Sequence, residues 1–185
     1  MDSLILCPLL LIYGILFLGC CYYFRCDRFI AALDGPGMEI TVGTGSRFPA
    51  VHTITPDTQP FFFSGDEQTR AKLINEQKSN DFNVISDRLQ VKQKSMNRLK
   101  LGLNQSYTAR RTSLNLATNE SSMIYCNEGS VCISTHSQTT ILNRGDSCLI
   151  ESAGGSYNYK ESSEINILMS AISNNDIIIS KVQYL

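Results

Sequence analysis

The chain has 185 residues, which is within the range of one compact body, because single hydrophobic cores usually stop growing near about 250 residues. Its 16 basic and 17 acidic side chains give a net charge of -1 without a long block of one sign, which argues against nucleic acid as a partner. An apolar content of 43% with 18% charged residues is not that of a disordered or collagen-like chain. We therefore expect most of the chain to fold.

The N-terminal segment, residues 1-25, is strongly apolar. It contains 21 consecutive uncharged residues, 4-24. A helix of that length spans a hydrocarbon core of about 30 Å, so the segment predicts a transmembrane helix. Arg25 and Arg28 follow it and favour a cytoplasmic body. A faulty or frame-shifted gene start is the alternative, and the whole protein would then be cytoplasmic.

The first part of the body, residues 26-101, combines apolar runs with turn signals. The sequence Asp34-Gly35-Pro36-Gly37 lies between two such runs and predicts a hairpin. Ala71 to Ile74 predict a short strand followed by a turn, because the surrounding polar stretch has too few apolar residues for a helix. VKQKSMNRLKL, residues 91-101, alternates imperfectly and predicts a strand with one solvated face.

The second part of the body, residues 123-185, shows turn signals at regular intervals. Turn residues at 127-129, 143-146 and 173-176 separate β-rich runs. This spacing predicts antiparallel strands in a barrel or sandwich. The stretch 102-122 is rich in Asn, Ser and Thr and is expected to connect two β units. Two β blocks with a polar connection indicate a duplicated barrel.

Three stretches carry a family resemblance: CDRFIAALDGPGMEI, TPDTQPFFFSGDEQTRAKL and KSNDFNVISDRL. In this order and at these spacings they resemble the HutD/Ves family of bacterial two-cupin proteins, from about residue 26 to the C-terminus. The resemblance implies an all-β fold of two cupin-like antiparallel barrels, a cytoplasmic location and a link to histidine utilisation or stress response. It implies no settled reaction.

The chain also departs from the family pattern. Members open with strands that carry Trp-containing motifs, whereas this chain has no Trp and has the apolar segment in their place. We therefore expect an incomplete first barrel, preceded by one apolar helix. Missing strands would leave unpaired edges and an uncovered apolar face. A homodimer is one arrangement that would cover them.

Asp81, Asn83 and Arg88, in DFNVISDR, are the candidate ligand-binding residues. An Arg with a neighbouring amide can hold a small carboxylate through a fork of donors, while a carboxylate fixes the Arg or Asn in place. The structural alternative is that Asp81 caps a short helical turn and Asn83 satisfies backbone groups of a loop.

No metal or cofactor is expected. Metal-dependent cupins use a His-x-His pair, a Glu and a later His, whereas His52 and His136 are the only histidines and each stands alone. We expect both in turns or at the surface. The seven cysteines form no CxxC pair, which leaves zinc-ribbon and thioredoxin-type sites without support.

Three functional hypotheses remain open at this stage. The first is a non-metal cupin that binds a small carboxylate metabolite, such as an acylated amino acid of histidine breakdown, in a regulatory or accessory role. The second is a small cupin-type enzyme acting on an acylated amino acid, with Asp81 and Arg88 among its catalytic groups. The third is a non-functional fragment. No nucleophile, base and oxyanion-hole constellation is recognisable, so the sequence favours a non-enzyme.

Overall fold

A computed structural model describes residues 26-101, 111-117, 119-135, 138-151 and 165-184. These residues form fourteen β-strands, and their one helical element is a short 3-10 turn at Ile74–Glu76. The strands are β1 Cys26–Ala32, β2 Met38–Val42, β3 Ala50–Ile54, β4 Phe61–Ser64, β5 Thr69–Leu73, β6 Asp81–Asp87, β7 Val91–Leu101, β8 Arg111–Leu116, β9 Glu120–Glu128, β10 Ser130–Ser134, β11 Thr139–Asn143, β12 Ser147–Glu151, β13 Ile165–Ala171 and β14 Asn175–Tyr184. The all-β expectation is confirmed for the described chain.

The predicted fold class needs one correction, which concerns the helix placed before the barrels. The described residues contain no α-helix, and none of their helical structure is long and apolar enough to cross a bilayer. Their short β-rich runs are interrupted by turns every few residues, which leaves no room for a long helix. The apolar helix is therefore not part of the described fold, and residues 4-24 lie outside the described residues.

The chain divides into two compact units between Gln90 and Val91. The first unit has two three-stranded sheets, β4-β1-β6 and β3-β2-β5, and the second has two four-stranded sheets, β11-β10-β13-β8 and β12-β9-β14-β7. The division lies before the stretch 102-122 that we expected to join the units. Strand β7 belongs to the second unit because it pairs with β14 along its length, and residues 111-122 contain β8 and the start of β9.

Most turns in the chain carry it from one sheet of a unit to the other. The predicted hairpin around residues 34-37 is wrong for this reason: β1 pairs with β4 and β6, whereas β2 pairs with β3 and β5. The turn is held by Asp34, whose carboxylate accepts hydrogen bonds from the backbone and side-chain amides of Asn80 at 3.0 and 2.8 Å. Gly37 has φ +92°, and a Cβ there would clash with the carbonyl oxygen of Ile54.

Each unit has its own hydrophobic core. In the first unit, the core joins side chains from both three-stranded sheets: Ile30, Ala32, Met38, Ile40, Val42, Ile54 and Phe63. The larger core of the second unit likewise contains residues from both of its sheets, among them Leu116, Ile124, Val131, Ile167 and Ile177. Since side chains alternate along a strand, these lists define which face of each strand is the core face.

Candidate functional site

Two of the three predicted site residues lie on the core face of the first unit. In the pairing of β1 with β6, Ala32 lies opposite Asp81 and Ile30 lies opposite Asn83. Directly opposed residues project from the same face of a sheet, and Ile30 and Ala32 both belong to the core. Asp81 and Asn83 therefore point inward. Asp81 is the first residue of a strand and does not cap a helical turn.

The environment of Asp81 and Asn83 leaves their acceptor oxygens without donors. Both residues are half-buried. Burial raises the pKa of the Asp81 carboxyl above 3.8, and its side chain has no hydrogen bond or ion pair within the described parts of the chain. The side-chain oxygen Oδ1 of Asn83 is buried and, among the described residues, accepts no hydrogen bond. Such groups usually have partners in folded proteins, so each oxygen is a candidate ligand contact.

A third polar side chain on this face, Arg28, was not among the predicted site residues. Arg28 precedes Ile30 by two positions on β1 and therefore shares its face. It is only 3% exposed and lies opposite Ile85, which makes it the diagonal neighbour of Asn83. Diagonal neighbours in an antiparallel pair are about 7 to 8 Å apart at Cα, within reach of a long side chain. The register thus places Arg28 diagonally next to Asn83, while Asp81 lies two positions further along β6.

His52 also lies in this unit, within β3, which ends just before the proline-containing loop that we expected to follow it. It is opposite Ile40, a core residue, and is half-buried. Its ring centroid is 4.2 Å from that of Phe61, with the planes 31° apart. Phe61 lies opposite Ile30 and packs against the core. His52 is therefore a partly exposed strand residue and not a turn residue, and His136 lies outside the described residues.

Arg88, the third predicted site residue, does not join this group. It follows β6 at the end remote from Asp81. Its Nε atom is 3.1 Å from Asp27 Oδ1, and its Nη1 atom is 2.5 Å from Asp66 Oδ2. The hydrogen bond from Arg88 lowers the pKa of Asp66 and raises the pKa of Arg88 itself. Asp81 and Asp87 are the two ends of the seven-residue strand β6 and lie about 20 Å apart, so Arg88 and Asp81 do not contact a common small ligand.

Two ion pairs with well-defined partners lie among the described residues of the second unit. Arg98 Nε lies 3.2 Å from Asp176 Oδ1, and Asn127 donates a hydrogen bond to Asp176 Oδ2 at 3.0 Å. Lys181 Nζ lies 2.6 Å from Glu120 Oε2. These pairs link neighbouring strands of one sheet, β7 with β14 and β9 with β14, so their geometry supports a structural role.

No group of three or more His, Cys, Asp or Glu side chains that could hold a metal ion occurs among the described residues. His52 therefore has no described carboxylate and imidazole partners of the cupin type. His136 is outside that part of the chain, so the absence of a bound metal stays a prediction.

Comparison with known protein families gives a match to HutD over residues 22-167, most of the chain. The chain belongs to the HutD family. The resemblance seen in the sequence is thereby confirmed, and with it a cupin-like all-β fold. The matched range includes β1 and β6, which carry Arg28, Asp81 and Asn83.

Solved structures support the same fold. A conserved protein of unknown function from Pseudomonas aeruginosa PAO1 is 18% identical with a TM-score of 0.63, and the match covers 87% of this chain and 74% of that one. HutD from Pseudomonas fluorescens SBW25 is 18% identical with a TM-score of 0.56, over 86% of this chain and 69% of that one. YhaK from Escherichia coli is 11% identical with a TM-score of 0.56, and the match covers 87% of this chain and 77% of that one. No curated protein matches the chain. At these identities the similarity establishes the fold alone.

Proposed function

We propose that this HutD-family protein binds a small carboxylate metabolite on the core face of its first unit. The observation that carries the proposal is the placement of Arg28 beside Asn83 on that face. A guanidinium has five N–H donors in a rigid fork that matches a carboxylate, and the interaction is strong where water is excluded. The apolar residues around Arg28 create such surroundings.

The edge position of β6 supports the proposal because it makes this part of the face accessible. Strand β6 ends the sheet order β4-β1-β6, so one of its sides has no neighbouring strand within that sheet. Polar groups on an edge strand are easier for a small molecule to reach than groups on a central one. The aromatic pair of His52 and Phe61 supplies apolar surface on the same face.

The biological setting that we propose follows from the family. A binding or accessory protein of histidine utilisation or of a stress response, acting in the cytoplasm, fits the HutD match. Nothing in the described residues assembles a nucleophile with a base, so binding without turnover is the simpler proposal. The solved HutD from Pseudomonas fluorescens carries the description "Formate condition", and formate is therefore included among the probes.

The test is calorimetric titration with formate, acetate, glutarate and N-acetyl-L-glutamate. Arg28→Lys keeps the charge but loses the fork, and we expect it to weaken binding of the best probe about ten- to hundredfold. Arg88→Lys is the matched control, because Arg88 belongs to the remote ion-pair cluster with Asp27 and Asp66. Its affinity should stay within about threefold of wild type.

Several outcomes would contradict the proposal. If none of the four probes binds the folded wild-type protein, the proposed carboxylate site is refuted. If Arg88→Lys weakens binding and Arg28→Lys does not, Arg88, the residue predicted from the sequence, would be the one that binds the carboxylate. If Arg28→Lys does not fold, Asn83→Ala takes its place, since Asn83 is half-buried and its Oδ1 has no described partner to lose. Turnover of N-acetyl-L-glutamate would favour an enzyme.

A further inference from the structure

The proposed carboxylate site contains two acceptors that a simple carboxylate cannot satisfy. Asp81 and Asn83 are two residues apart on β6, so their side chains project from one face about 6 to 7 Å apart. Within the described chain, neither the Asp81 carboxylate nor Asn83 Oδ1 receives a hydrogen bond. Asn83 Oδ1 is therefore buried without a donor, and the half-buried Asp81 carboxylate has no donor among the described residues.

A ligand with only a carboxylate would make this situation worse. It would bring a second negative charge close to Asp81, and like charges in poorly solvated surroundings repel strongly. It would also supply no donor to the buried Asn83 Oδ1. The face thus combines one group suited to an anion, Arg28, with two groups suited to a donor or a cation.

A ligand that carries an ammonium group next to its carboxylate suits both Arg28 and the two acceptors. The ammonium group has three donors and a positive charge, and its hydrogen bonds to a carboxylate are charge-assisted. In an α-amino acid the ammonium and the carboxylate are attached to the same carbon. Asn83 lies two positions from Asp81 on β6 and is the diagonal neighbour of Arg28, so a small zwitterion held at Asn83 would have Asp81 on one side and Arg28 on the other.

We propose that the first unit binds a zwitterionic α-amino acid, whose ammonium donates hydrogen bonds to Asp81 and Asn83 while its carboxylate faces Arg28. This inference rests on the carboxylate site proposed above and narrows its ligand class. The side chain of the amino acid is not assigned by these contacts.

The experiment compares amino acids with their counterparts that lack the amino group. Calorimetric titrations use L-glutamate with glutarate, L-leucine with 4-methylpentanoate, and L-histidine with imidazolepropionate. We expect the amino acid of the best-binding pair to bind about ten- to hundredfold more tightly than its counterpart, the effect of one or two charge-assisted hydrogen bonds. N-acetyl derivatives, which keep an N–H but lose the charge, should not show this advantage.

Asp81→Asn tests the assignment directly. It should remove most of the amino-acid advantage and leave the counterpart's affinity unchanged or improved, because the repelling charge is gone. Asp87→Asn is the control, since Asp87 is on the same face of β6 but at its opposite end, across from Cys26. Thermal unfolding confirms that each variant is folded. If Asp81→Asn does not fold, Asp81→Ser replaces it in the titrations.

The possible failures are distinguishable. If neither member of any pair binds, the proposed carboxylate site fails and this inference fails with it. If counterparts bind as tightly as their amino acids, the carboxylate site stands and the ammonium assignment is overturned. An amino-acid advantage that survives in Asp81→Asn would likewise overturn the role of Asp81, as would acetylated forms binding as tightly as free amino acids.

Discussion

Replacing Arg98 by methionine is expected to lower the free energy of unfolding by about 3 to 5 kcal/mol at pH 7. The side chains of Arg98 and Asp176 are only 2% and 7% exposed, and their closest atoms are 3.2 Å apart. Without Arg98, the Asp176 carboxylate stays buried and keeps the neutral amide of Asn127 as its described hydrogen-bond donor. The expected cost reflects an uncompensated buried charge and is not the net contribution of the intact pair.

The dependence on pH distinguishes this cause from simple loss of packing. Burial raises the pKa of Asp176 above 3.8, while Asn127 and Arg98 act to lower it. Removing Arg98 therefore raises the pKa of Asp176 further in the folded state but not in the unfolded state. A carboxyl group whose pKa is raised in the folded state destabilises the protein at pH values where it is ionised. This penalty disappears as the pH falls towards the pKa that the group has in the unfolded state. The deficit of Arg98→Met should accordingly shrink between pH 7 and about pH 4.

Urea denaturation of wild type, Arg98→Met and Arg98→Met/Asp176→Asn measures these effects. The double variant should recover part of the lost stability, because it no longer buries a charge. Lys92→Met is the control on the same strand, and its exposed position predicts a change within about 0.5 kcal/mol. A deficit below about 1 kcal/mol, or one that is constant with pH, would refute the reasoning.

Three further predictions concern core packing in the first unit, the Asp81 carboxyl and the metal content of the protein. Ile40→Ala should destabilise the protein by about 2 to 5 kcal/mol because Ile40 is 1% exposed, whereas Val51→Ala, at a position 60% exposed, should change it by under about 0.5 kcal/mol in the same denaturation assay. Since burial raises the pKa of Asp81 above 3.8, Asp81→Asn should be more stable than wild type at pH 7, with the advantage lost as the pH falls to about 4; a constant difference would contradict this. Elemental analysis of tag-free protein should find no stoichiometric transition metal, and one equivalent lost on mutating His52 or His136 would reverse that expectation.

The positions of many strands and turns could be predicted from the sequence because they depend on local chemistry. Strand β7 coincides with the alternating stretch 91-101, and β5 with the 3-10 turn after it corresponds to the short strand and turn expected around Ala71 to Ile74. The turns expected at residues 127-129, 143-146 and 173-176 coincide with the boundaries between consecutive strands, although some of these residues belong to the strand ends. Backbone preferences of Gly, Asn and Asp act within a few residues, so they are visible in one dimension.

Pairing was not visible in the same way. The turn at residues 34-37 lies between β1 and β2, as its residues require. Whether β2 then pairs with β1 or joins a second sheet depends on contacts that are distant in sequence, such as those of Asp34 with Asn80. For the same reason the polar composition of residues 102-122 did not reveal β8, which lies opposite β13 more than fifty residues later.

The sequence by itself determined the family and the all-β class, because these depend on local motifs and on composition, and it singled out Asp81 and Asn83 as polar candidates. Their inward orientation was decided by the pairing of β6 with β1. The tertiary structure alone decided which cation accompanies them. Arg88 is close to Asp81 in sequence, but β6 is extended and carries it to the far end of the strand. Arg28 is more than fifty residues away, yet the antiparallel register of β1 with β6 places it diagonally beside Asn83. Register between strands is set by the packing of a whole core, and no short stretch of sequence encodes it.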